Sequence, residues 1–201
     1  TGKELKLAAE VDASVSDFMT TARLYCSGLN FTFNPHRMIL NKVTDCYLTR
    51  EDGERIEIQD DQLYRVVTDL YTGQMLGSVM EMSYGLLKIE PKDKDGNPIE
   101  NLEDHAVMEG NKELKAWDAI ARYMKSFDDT DGNGISNVPE YYETTHGRKV
   151  VDESRNVIDL VKNPNKFSVM IVGIVLVLIL IIILLIVLIR KLIKKRRRKK
   201  K

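Results

Sequence analysis

Asp129, Asp131, Asn133, Ile135, Asn137 and Glu140 occupy positions 1, 3, 5, 7, 9 and 12 of a twelve-residue run, with Gly134 at position 6. This spacing can gather carboxylate and amide oxygens, plus the Ile135 backbone carbonyl, around one centre, while a glycine at position 6 permits the sharp turn. An all-oxygen set of this kind suits a hard cation, calcium above all, which takes six to eight oxygen ligands. The plain alternative is a solvated acidic turn in which Asn137 serves only as the N-cap of the next helix.

No other cluster offers comparable chemistry. His36, His105 and His146 lie in unrelated contexts, none at metal-ligand spacing from another His, Cys or Asp. No nucleophile elbow, phosphate loop or zinc-helix motif is present. The run Lys92–Pro98 contains Asp95-Gly96-Asn97 but lacks a twelfth-position acid, and Pro98 falls where a ligand loop would continue, so it reads as a hairpin turn. Cys26 and Cys46 form either one disulfide or two buried thiols, the second being the blander reading. The chain shows no complete active site.

The elements that must hold these residues follow from pattern. Thr1–Glu10 reads as a helix. Strands are expected at Ala22–Phe33, Lys42–Arg50, Arg55–Gln59, Leu63–Leu70 and Tyr84–Glu90, with turns at Asn34-Pro35 and Asp52-Gly53. Glu113–Phe127 is the clearest soluble helix; Leu114, Trp117, Ile120, Ala121, Met124 and Phe127 make one apolar stripe, read as core packing. A second helix is expected over Val138–His146, with Pro139 in its first turn, Gly147 at its end, and Glu140 placed to close the loop. Strands first and helices later give an α+β class.

Charge is distributed unevenly. The 201 residues carry 30 Lys/Arg and 30 Asp/Glu, but ten of the basic residues fall in Arg190–Lys201. Residues 1–166 hold the other 20 against all 30 acids, and an acidic surface excludes nucleic acid as partner. Between these parts, Phe167–Ile189 has no charge in 23 residues, enough for one membrane span. The basic flank sets the expected orientation: tail cytoplasmic, residues 1–166 outside, in a single-pass protein of the cell membrane. Each Lys or Arg near an anionic leaflet adds roughly 1 kcal/mol of attraction. A protein of this topology needs an export signal, and the opening at Thr1 shows none, so residues upstream are expected.

Three stretches, in order, carry a family resemblance. Thr1-Gly2-Lys3-Glu4-Leu5-Lys6, then Ser27-Gly28-Leu29-Asn30-Phe31-Thr32-Phe33-Asn34-Pro35, then Tyr64-Arg65-Val66-Val67-Thr68-Asp69-Leu70-Tyr71 resemble the C-terminal domain of the 5'-nucleotidase family over roughly residues 1–90. The later residues resemble the extension of membrane-anchored bacterial members. The resemblance implies an upstream metallophosphatase domain in which two divalent metals activate water and clamp the phosphate, with the C-terminal domain binding the nucleoside between two aromatic rings. Tyr71 matches the later ring. The family continues into a GGDG segment, whereas Tyr71 here is followed by TGQMLGSVMEMSYG, with Gly77 at the acidic position. The acidic loop resembles those of thrombospondin-type and dockerin-type repeats, because position 8 is Ser136 where an EF-hand has an aliphatic residue. Extracellular calcium fills such sites even at 10⁻⁴–10⁻³ M affinity.

The layout expected is therefore a partial 5'-nucleotidase C-terminal-like domain (1–110), a helix, calcium loop and helix (111–150), a juxtamembrane linker (151–166), a membrane helix (167–189) and a basic tail (190–201). Its function would be to position a nucleotide or related phosphorylated small molecule and to tether the enzyme, with no catalytic residue of its own. The competing expectation is a calcium-stabilised surface adhesion or scaffolding module without a substrate.

Overall fold

Thr1 and Gly2 set the first helix in the computed structural model, which describes residues 1–20 and 23–199. Helix α1 spans Gly2–Val15, five residues beyond its expected end. The Thr1 hydroxyl accepts from the Glu4 amide, and the Glu4 side chain reaches back to Thr1, a capping box that satisfies orphan donors of the first turn. A Cβ on Gly2 would lie 2.1 Å from the Gln59 carbonyl oxygen. Only glycine fits there, and the Gly2 and Lys3 amides donate to the carbonyls of Gln62 and Asp60. The Thr-Gly start thus fixes the helix end against the turn at 59–62.

The main sheet has strand order β3-β2-β1-β6. Strands β1 (Leu29–Phe33), β2 (Val43–Thr49) and β3 (Arg55–Glu57) form an antiparallel meander. The β2–β3 turn at Asp52-Gly53 has Gly53 at φ +85, the left-handed conformation that favours glycine. Strand β6 (Lys149–Val151) pairs with β1 in parallel. That pairing was not legible in the sequence, where 151–166 read as a linker. Asn34, 1 % exposed, ties the two regions together: its Nδ2 donates to the Ser154 carbonyl at 2.7 Å.

Helix α1 lies between two apolar layers. Ala9 and Ala13 face the sheet and meet Phe31, their small side chains allowing close approach. Val11 faces the other way, into a cluster with Leu87, Ile89 and Phe167. Helix α2 (Leu70–Met82) adds Leu76 and Val79 to that cluster. Two buried carboxylates stitch α1 in place. Glu10 accepts from the Lys42 and Val43 amides at 2.5 and 2.9 Å; Asp12 accepts from the Leu24 amide and pairs with Lys149 at 2.7 Å. A buried charge persists only with such partners.

Several expected elements differ. The expected strand Leu63–Leu70 joins no ladder among the described residues and its last residue opens a helix; Val66 and Val67 are 61 % and 77 % exposed, so these β-branched residues have no sheet to pack on. Tyr84–Glu90 likewise joins no ladder, its alternation serving to bury Leu87 and Ile89 beneath α1. β1 is shorter than expected, and Ala22 lies outside the described residues. Lys92–Pro98 is the expected hairpin turn, closed by a Lys92–Pro98 bridge and by Asp93 accepting from Asp95 and Asn97.

The apolar stripe of α3 (Ala116–Lys125) is not core. No α3 residue is buried, and Trp117 and Ile120 are 71 % and 60 % exposed. A short hairpin, β4 (Met108–Glu109) with β5 (Lys112–Glu113), precedes it and is tied to it by the bidentate Arg122–Glu109 pair. The expected helix over Val138–His146 is a single 3-10 turn, Glu140–Glu143: Pro139 stands at its cap, and β-branched Thr144 and Thr145 follow before Gly147.

Beyond β6, a short helix α4 (Val157–Val161) leads to α5 (Lys166–Lys199). Arg37 holds this passage, donating to the carbonyls of Asn41 (2.7 Å), Lys162 (2.6 Å) and Asp159. The Asn165 side chain caps α5 by accepting from the Phe167 and Ser168 amides. From Val169 to Lys195 no residue is buried. α5 is the one helix among the described residues long and apolar enough to cross a membrane.

Candidate functional site

Tyr71 is the second residue of α2 and is 59 % exposed. Asp69 caps the helix, its carboxylate accepting from the Thr72 amide at 2.9 Å and the Thr72 hydroxyl at 2.7 Å. These hydrogen bonds hold the Asp69 carboxyl below its ordinary pKa. Behind Tyr71 lies a cavity of about 50 Å³ between α1 and α2, lined by Val11, Arg23, Met75, Leu76 and Ile89 among others. Ordinary ligand pockets run about 300–1,000 Å³, so this space encloses no nucleobase. What Tyr71 offers is the exposed side of its ring. Leu70–Met82 runs as unbroken helix through the positions where the family has its glycine-rich segment, Gly77 included.

A larger open cleft, about 810 Å³, lies on another side of α1. Its walls alternate cations (Lys3, Lys6, Lys88, Lys92, Lys166) with carboxylates (Glu4, Glu10, Asp45, Glu57, Glu90). At its wall Glu4 accepts from the Lys92 ammonium at 2.6 Å and the Glu90 amide at 3.1 Å. Burial raises the Glu4 carboxyl, but the Lys92, Thr1 and Glu90 hydrogen bonds outweigh it and bring it down to about 2. Lys88 also pairs with Glu90, at 3.1 Å, so part of the cleft's positive charge is already met by carboxylates.

In the acidic loop, Asp129 turns its carboxylate inward. One oxygen accepts from the amides of Gly132 (2.8 Å) and Asn133 (3.2 Å), the other from Gly134 (2.8 Å). These bonds hold the Asp129 carboxyl below its ordinary value. Gly132 and Gly134 take φ of +72 and +85, so the tight turn depends on glycine at both. Asp131 accepts from the Asn133 amide, the Asn133 oxygen from Ile135, and the Asn137 oxygen from Thr130. Glu140 opens the following 3-10 turn, which is braced on α3 by edge contacts of Tyr142 with Tyr123 and a tilted contact with Phe127. Among the described residues no three His, Cys, Asp or Glu side chains converge in a group that could hold a metal. Asp129, Asp131 and Glu140 therefore stand in one loop without closing on a common point. The donor set itself, hard oxygens throughout, is of the type calcium takes.

The remaining reactive residues have structural partners. His36 accepts from Arg155 Nε at 3.3 Å, and His146 stacks on Tyr141 at 4.0 Å. Cys26 and Cys46 are free and half-buried rather than fully buried; burial raises both thiols, Cys46 to about 11, which makes them poor nucleophiles. Sequence reasoning passed over Glu10, Asp12 and Arg37, whose signal was available: charged residues inside otherwise apolar or turn segments.

These observations define an α+β unit with a mixed sheet, an exposed aromatic on a helix start and a long apolar C-terminal helix. Residues 1–83 match the family model described as 5'-nucleotidase, C-terminal domain. The match takes in α1, β1, β2, β3 and α2 whole. Comparison with curated proteins and with solved structures gives no match.

Proposed function

We propose that this chain is the substrate-positioning and membrane-anchoring C-terminal part of a surface 5'-nucleotidase-like phosphohydrolase acting in nucleotide breakdown. The family match over residues 1–83 carries the reading. Hydrolysis belongs to a two-metal domain upstream of Thr1, where divalent ions would activate water and stabilise the transferring phosphate. Tyr71, exposed at the start of α2, supplies one face of a base-stacking site whose other ring lies upstream. α5 is the anchor, with residues 1–166 outside and the basic tail in the cytoplasm, as the flanking charge favours. Asp129, Asp131, Asn133, the Ile135 carbonyl, Asn137 and Glu140 hold one structural calcium, Glu140 swinging in as the ion binds.

The test is phosphate release from AMP with added Mg²⁺ or Mn²⁺. The full-length gene product turns over, and Tyr71→Ala in it raises KM while leaving kcat; this chain alone releases none. Metal-dependent turnover by the 201-residue chain overturns the assignment of chemistry to an upstream domain. A second reading, a calcium-stabilised adhesion or scaffolding module, draws on the unbroken α2 and the uncovered α3 stripe. An upstream repeat array in place of a metallophosphatase domain would favour it.

A further inference from the structure

The start of α5 leaves no slack between the folded domain and the bilayer. Phe167 and Ser168 are 4 % and 5 % exposed, Phe167 in the cluster of Val11, Leu87 and Ile89, whereas no residue from Val169 to Lys195 is buried. Val169–Ile189 is 21 residues, about 31 Å of helix at 1.5 Å per residue, which matches a hydrocarbon core of about 30 Å. Phe167 then lies about 3 Å beyond the core edge, within a headgroup layer of about 5–8 Å. Arg37, donating to the Lys162 carbonyl, and Asn165, donating to the Asn41 side chain and the Leu40 carbonyl, clamp the segment before it, so the domain cannot lift away on a flexible stalk.

Whatever surrounds Phe167 on the surface must sit among lipid headgroups. Gly85, Leu86, Lys88 and Lys166 line the same open cleft as Phe167. Alternation along 86–89 buries Leu87 and Ile89 and turns Leu86 and Lys88 outward. Tyr84 is 99 % exposed, the most exposed large apolar side chain of this segment, and holds φ +52. L side chains adopt that left-handed conformation rarely, because Cβ crowds the following carbonyl. Its backbone is fixed all the same, with the Tyr84 and Gly85 amides donating to Glu81 and Met80 at 3.0 and 2.8 Å. Tyrosine prefers the membrane–water interface, where its ring is apolar and its hydroxyl wet, and lysine stems extend towards phosphates.

We infer that the Tyr84–Lys88 turn is a second membrane contact, Tyr84 and Leu86 seated in the headgroup layer beside α5 with Lys88 and Lys166 meeting lipid phosphate. The inference rests on reading α5 as a membrane span. The contact fixes the tilt of the domain, which a single helix alone leaves free.

The experiment uses the 201-residue chain in phosphatidylcholine vesicles, with Trp117, its one tryptophan, replaced by Trp117→Phe. Tyr84→Trp, and separately Leu86→Trp at an ordinary backbone conformation, then report position. Emission blue-shifted and roughly halved by acyl-chain bromination, with little quenching by aqueous acrylamide, is the expected result. If alkaline carbonate leaves the chain in the vesicles but both reporters respond to acrylamide and ignore bromination, the turn faces water and the inference is wrong. Release of the chain by carbonate removes the span itself, and the inference with it.

Discussion

Glu4 shows how much a single side chain of the family start does. It closes the capping box of α1 and pairs with Lys92, 88 residues later, so one carboxylate joins helix start to hairpin. Its folded pKa, about 2, lies below the ordinary 4.5. A depressed acid contributes stability that is fully present above about pH 4.5 and is lost as pH falls from there through about 2. Acid unfolding followed by circular dichroism should therefore be less steep across that window in Glu4→Gln than in the parent. Identical slopes would mean that Lys92 and Thr1 do not hold the carboxylate ionised.

At the scale of elements, the acidic loop and the α3 stripe mark where sequence pattern succeeds and where it stops. Pattern found that α1, β2, β3 and α5 exist, and β2 to within a residue at each end, but α1 runs five residues and α5 ten residues past their expected ends. The same periodicity gave α3 a core stripe that the fold leaves uncovered, since a pattern cannot say whether a neighbour exists. Strand β6 was illegible for a related reason: three residues, Lys149–Val151, join the sheet through a parallel partner 118 positions away. Loop spacing placed Asp129 to Glu140 in one turn system, but Pro139 and Thr144 shorten the helix meant to deliver Glu140. Calcium binding should supply that closure. The melting temperature of the detergent-solubilised chain should fall when EGTA is added, and Asp129→Ala or Glu140→Ala should erase the difference. A parent insensitive to EGTA would leave the loop a solvated turn.

On the scale of the whole molecule, the segment that matches the family does not complete its own core. Leu87, Ile89, β6 and Phe167 all lie outside residues 1–83 yet seal α1 and the sheet. Phe167→Ala should destabilise the domain by about 3–5 kcal/mol, as buried Phe truncations do, read from guanidinium unfolding of the chain in detergent. A loss near zero would make Phe167 part of the membrane helix alone. The position of Phe167 also orders events during synthesis. Phe167 joins Val11 in one cluster across 156 positions of sequence, a separation among the slowest to close, and it stands at the start of the helix long and apolar enough to cross a membrane. On the proposed reading of α5 as an anchor, its insertion and the maturation of the domain would be one step, and a chain whose helix failed to insert would remain unfinished in its interior as well as unmoored.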